Sequence, residues 1–131
     1  MQESVTMPLA STISGNALIL GLKGRLDQDN CDEFRDLLVP HLDTAAREHL
    51  AIVLDLSQLE YVSSAGLRCF MLAVKQAKTY NGRIVVAALQ PMVAEIFQIS
   101  RFDMLLQVFP SVAAAVSAVA SPPTGSQAAS P

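Results

Sequence analysis

The stretch His49–Leu56, HLAIVLDL, is an almost unbroken apolar run that carries Asp55 near its end. Successive side chains of a strand point to opposite faces of its sheet. A strand apolar on both faces therefore has to be covered on both sides. Two similar runs accompany it: Ala17–Leu22 (ALILGL), after the turn signal Gly15-Asn16, and Arg83–Leu89 (RIVVAAL), after Asn81-Gly82. Leu105–Phe109 and Ser4–Ile13 are expected to add two more strands.

Helical spacing fills the gaps. Asn30 is a candidate N-cap with Glu33 three residues on, the spacing of a capping box. Phe34, Leu37, Leu38, His41, Leu42 and Ala45 then recur on one face, and Pro40 is expected to kink or split that helix. The second helix is capped by Ser63 or Ser64, with Leu67, Phe70, Met71, Val74 and Ala77 as its core stripe. A third starts at Pro91 and packs through Met92, Ile96, Phe97 and Ile99, and a short fourth fits Ser111–Ala120. The order β-β-α-β-α-β-α-β-α predicts one α/β domain over residues 1–120. It would be a mixed sheet of about five strands with about four helices packed on it. The last residues, Ser121–Pro131, are rich in Pro, Ser and Ala and lack large apolar side chains, so they are expected to be a disordered tail.

Composition narrows the function. The 131 residues carry a net charge of -3 without a basic block, which gives no electrostatic support to nucleic-acid binding. Aromatic residues are 5% and Trp is absent, so a base-stacking platform is not expected, and the core should rest on Leu, Val, Ile, Ala and Met. Hydrophobic residues reach 51%, yet no apolar run attains the ~18 residues of a membrane span, so no membrane insertion is expected. The N-terminus MQESVTMPLA has no basic n-region and no apolar h-region, so it does not read as a signal peptide. The expected location is cytoplasmic, with Cys31 and Cys69 as reduced thiols.

Catalytic chemistry is thinly provided for. His41 and His49 stand in no metal-ligand spacing with each other or with a Cys, so no metal and no cofactor are expected. Asp29, Asp32, Glu33 and Asp36 suit the positive end of a helix as solvated charges, whereas Asp27 sits apart at a strand end. Gly21 and Gly24 lack the spacing of a phosphate-cradling loop, and no Ser-His-Asp order has supporting context. An enzyme working in a strand-end crevice would lack a base and nucleophile pair, so none is expected.

The informative segment is VLDLSQLEYVSSAGLR, Val53–Arg68, in which a buried strand leads to two adjacent serines at a helix start. One hydroxyl suffices for capping. The other stands where a phosphate would meet free N–H groups and the positive dipole end. The segment resembles the signature of STAS domains of the anti-sigma factor antagonist family. Gly24-Arg25-Leu26-Asp27 looks like that family's G-x-L-D element, and NGRIVVAALQPMVAEIFQISRF is similar to its fourth strand and third helix. The resemblance implies a STAS fold and a small, non-enzymatic bacterial regulator of sigma-factor-dependent transcription. In its unphosphorylated form such a protein binds an anti-sigma factor, a serine kinase of GHKL-type fold. Phosphorylation of one serine ends that binding, and a PP2C-type phosphatase restores it.

By position, Ser64 matches the phosphoacceptor, Gly66 and Leu67 match the motif's Gly-Leu, and Asp27 matches an acidic residue on the neighbouring loop. Three departures stand out: Ser63 replaces an Asp, Arg68 replaces a Gly, and Arg101 replaces a Gly late in the third helix. The first makes Ser63 the fallback acceptor. The last suggests a differently built turn. Ala65, Cys69, Leu72 and Gln76 fall on one stripe of the second helix opposite its expected core stripe. With Asp27, Ser63, Gly66, Leu67 and Arg68, the stripe residues Ala65, Cys69 and Leu72 make the expected partner-binding face. The alternative reading is a STAS scaffold subunit of another assembly, such as a lipid or anion transporter.

Overall fold

In the computed structural model the described residues are 9–79 and 83–120. Strands β1 (Leu9–Ser14), β2 (Ala17–Leu26), β3 (Ala51–Val62), β4 (Ile84–Ala87) and β5 (Val108–Phe109) form one sheet in sequence order. Only the β1–β2 pair, a hairpin closed at Gly15-Asn16, is antiparallel. Helices α1 (Cys31–Glu48), α2 (Ser64–Thr79), α3 (Pro91–Ile99) and α4 (Val112–Ala120) connect and flank the strands, with a 3₁₀ turn at Phe102–Met104. The predicted element order and mixed sheet are the observed ones.

The apolar run that opens β3 is covered on both sides, as its composition requires. Ile52, Leu54 and Leu56 join the large core with α1, α2 and α3, while Val53 joins a smaller core with α4 through Ala115 and Val119. The 5% of aromatic residues are better placed than composition suggested. Phe34, Phe70, Phe97 and Phe102 cluster with ring centroids 5.2–6.2 Å apart, mostly edge to face, and tie three helices together.

Several boundaries differ from expectation for identifiable reasons. β3 runs well past the apolar stretch His49–Leu56. β4 stops opposite Asp55, at Ala87, and β3 continues to Val62 paired with β2 alone. Ser57, Gln58 and Glu60 are therefore exposed, and two register shifts lie in this half. β4 is shorter than Arg83–Leu89 because Ala88 turns left-handed, with φ 62°. Pro40 does not split α1, which is one helix. Pro40 lies on its exposed side, where water can satisfy the carbonyl that a proline leaves unbonded. The capping box is absent: the Asn30 side chain bonds back to the preceding loop, and Glu33 Oε1 is buried without a partner. In α3, Val93 and Phe97 are buried, whereas Met92 and Ile99 are exposed. β5 has two residues rather than five.

Arg101 has φ 62°, the left-handed conformation that glycine adopts most readily, so the turn after α3 keeps a glycine-like backbone despite its side chain. Cys31 and Cys69 are not free thiols. They are joined as a disulfide, with Cα atoms 6.1 Å apart. Sequence spacing gave no sign of it, because only the packing of α1 on α2 brings the two together. Residues 4–8 of the expected first strand, the turn signal Asn81-Gly82 and the expected tail Ser121–Pro131 lie outside the described residues.

Candidate functional site

The carboxyl ends of the parallel strands β2 and β3 open toward the same side. The loop after β2 and the start of α2 meet there. The loop is held locally. Asp27 N donates to Asn30 Oδ1 at 2.9 Å, Asn30 Nδ2 donates to Arg25 O at 2.7 Å, and Asp29 N donates to Asp27 Oδ1 at 3.0 Å. Arg25 links loop and strand: its Nε is 3.7 Å from Asp27 Oδ2, and its guanidinium lies 4.6 Å from the ring centre of Tyr61.

The two serines have different surroundings. Ser63 N donates to Leu26 O at 3.0 Å, and Ser63 Oγ accepts from Gly66 N at 3.1 Å. Ser63 is therefore the N-cap of α2, its hydroxyl bound to one of the otherwise unpaired N–H groups of the first turn. Ser64 is the first helical residue and is exposed, with no hydrogen bond from its hydroxyl among the described residues. Leu67 N donates to Ser63 O at 2.9 Å. The N–H groups of Ser64 and Ala65 remain as first-turn donors without a partner among the described residues.

Gly66 explains how this turn fits. It is buried, and a Cβ built there would run into the Leu26 carbonyl and come within 2.7 Å of Val62 Cγ2. The first turn of α2 therefore lies against the end of β2 closely enough to admit only glycine.

Ser64 stands between two depressions. A shallow one of about 470 Å³, walled by Asp27, Asp29, Tyr61, Ser63 and Ala65, lies on one side. A smaller, mostly apolar one of about 240 Å³, walled by Leu67, Arg68, Met71, Ser100 and Phe102, lies on the other. The exposed face of α2 runs through Ser64, Arg68, Met71 and Leu72, with Met71 37% and Leu72 41% accessible.

Of the expected partner-facing residues, Asp27, Ser63, Ala65, Leu67, Arg68 and Leu72 stand at or beside this surface. Gly66 and Cys69 do not. Both are buried, and Cys69 belongs to the large core. The expected stripes were rotated: positions 66, 69, 70, 73, 74 and 77 face inward. Small residues let α2 approach closely, so Gly, Cys and Ala took the inner face and Met71 was left outside. Tyr61 and Met71 belong to the site but were missed. The apolar residues Leu59 and Val62 beyond Ser57-Gln58, both buried, were the available signal that the strand continues past Tyr61. Among the described residues no group of His, Cys, Asp or Glu could hold a metal ion, and no helix is long and apolar enough to cross a membrane.

Residues 9–107 match the family model described as "Mlab, STAS domain". A Bordetella bronchiseptica protein assigned as anti-sigma factor antagonist BtrV is 39% identical over 93 residues, covering 71% of this chain and 75% of that one. The chain is a STAS-domain protein of the anti-sigma factor antagonist family. An anti-sigma factor antagonist structure from Thermotoga maritima superposes with a TM-score of 0.77 at 18% identity, over 86% of this chain and 95% of the other. Bacillus SpoIIAA in its phosphorylated form gives a TM-score of 0.59 at 17% identity, over 87% and 99%. At such identities the likeness is one of fold. STAS domains of this class are regulatory, non-catalytic scaffolds.

Proposed function

We propose that this STAS protein is a cytoplasmic bacterial anti-sigma factor antagonist that docks, through Ser64 and the exposed face of α2, on an anti-sigma factor with a GHKL-type serine kinase fold. Phosphorylation of Ser64 ends docking, a PP2C-type phosphatase reverses it, and sigma-factor-dependent transcription follows the balance. The observation that carries this reading is the division of labour at the helix start. Ser63 Oγ is engaged by Gly66 N at 3.1 Å, while Ser64 is exposed beside it. Ser63 is thus engaged as a cap, which favours Ser64 over the fallback Ser63 as the acceptor.

The physics of the switch is local. A phosphoserine adds about -1.5 to -2 charges. The N–H groups of Ser64 and Ala65 and the helix dipole can accept it without refolding. The same charge would face Asp27 and Asp29 across the polar depression and would spoil an interface built on Met71 and Leu72. The solved phosphorylated form of SpoIIAA, which shares the fold, supports the idea that this scaffold tolerates the modification.

The test is a pull-down from the host, followed by incubation of the chain with the captured kinase and ATP and mapping of phosphate by mass spectrometry. A GHKL-type kinase and a phosphate on Ser64 are expected. Capture of a membrane transporter in its place would move the chain to the transporter-scaffold reading. An active kinase that leaves Ser64 unmodified would sink the switch.

A further inference from the structure

We infer that Cys31 and Cys69 form a peroxide-responsive thiol pair that reversibly staples the start of α1 to α2 beneath the Ser64 surface. The two Cα atoms are 6.1 Å apart, inside the window a disulfide needs without backbone movement. The cysteines differ in the way a reactive and a resolving thiol differ. Cys31 is the first residue of α1 and is only partly buried against the large core, so an oxidant in solution can reach it. Cys69 is 0% exposed and packed in the large core, out of reach of an oxidant in solution but not of Cys31. Cys31 Sγ also lies 3.7 Å from Ala65 O, so the staple sits directly under the turn that carries Ser64.

The chemistry balances with hydrogen peroxide as oxidant. The Cys31 thiolate attacks one peroxide oxygen and the O–O bond breaks, leaving a sulfenic acid on Cys31 and releasing hydroxide. The Cys69 thiol then attacks the Cys31 sulfur. The S–S bond forms, the S–O bond breaks, and the hydroxyl leaves with the thiol proton as water. A dithiol reductant reverses the bond by thiol–disulfide exchange, becoming oxidised itself as both cysteines return to thiols. The disulfide form described above is the oxidised end of this couple. None of this depends on the partner-switch reading.

The experiment uses the full chain, reduced with dithiothreitol, desalted and treated with about one equivalent of peroxide. Peptide mass spectrometry should find Cys31 linked to Cys69 within one molecule, and dithiothreitol under native conditions should reopen the bond. The two cysteines are 38 residues apart, and closing that loop should raise Tm by about 10 °C. Dimedone present during oxidation should trap a sulfenic acid on Cys31 and not on Cys69. In Cys69→Ala the Cys31 adduct should accumulate. The dimedone result on wild type stands even if that variant folds poorly. The inference is overturned by thiols that survive peroxide, by cross-links only between molecules, by first oxidation at Cys69, or by a disulfide that native dithiothreitol cannot open.

Discussion

The inner and outer faces of α2 follow opposite rules. The inner face, Gly66, Cys69, Phe70, Ala73, Val74 and Ala77, is buried and built on small residues around one phenylalanine. Close approach to the end of β2 dictates that composition, and a single added methyl at Gly66 has no room. The outer face, Ser64, Arg68, Met71 and Leu72, is exposed, and little in the fold requires those side chains. Stability resides on one side of the helix and the proposed recognition on the other, with neighbouring residues on opposite sides of the divide. Ser63 and Ser64 mark it at the first turn.

Substitutions can break or sharpen that contrast. Leu54 is 0% exposed in the core that the inner face of α2 completes. Leu54→Ala should cost about 2–5 kcal/mol in denaturant unfolding. Gly66→Ala should cost about 1–3 kcal/mol or more by overpacking against Leu26 and Val62, read in the same way. A neutral Gly66→Ala would mean that the first turn of α2 is looser than described. Ser63→Ala should lose about 1 kcal/mol with its cap. Ser64→Ala and Leu72→Ser, on the outer face, should each change thermal stability by no more than about 0.5 kcal/mol. A large loss at Ser64 would give that residue a structural role and erase the distinction from Ser63.

Much of the architecture was legible in the sequence because β3 is so apolar that it had to be sandwiched, and the turn signals fixed the element order. The rotation of α2 was not legible, because side-chain size alone favours burying Met71 and Leu67 over Cys69 and Ala73. Met71 is large and outside, while Cys69 and Ala73 are small and inside. The far half of β3 was hidden by the polar residues Ser57, Gln58 and Glu60, which follow from the loss of β4 as a neighbour rather than from the end of the strand. With it went Tyr61 and the wall it gives the site. The assignment of the cap to Ser63 needed geometry, since either serine had the right chemistry. So did the disulfide, whose partners are set by helix packing across 38 residues of chain.

The central claim, that Ser64 on the outer face of α2 controls docking while the fold stays unchanged, is tested most directly by calorimetric titration of the GHKL-type partner captured from the host. Wild type would be titrated beside Ser64→Asp and the enzymatically phosphorylated chain, with circular dichroism on each. Superimposable dichroism is expected, with affinity at least about tenfold weaker for Ser64→Asp and a larger loss for the phosphoprotein, because Asp carries about half the charge of phosphate. Equal affinity of all three forms would show that docking does not pass through this helix start.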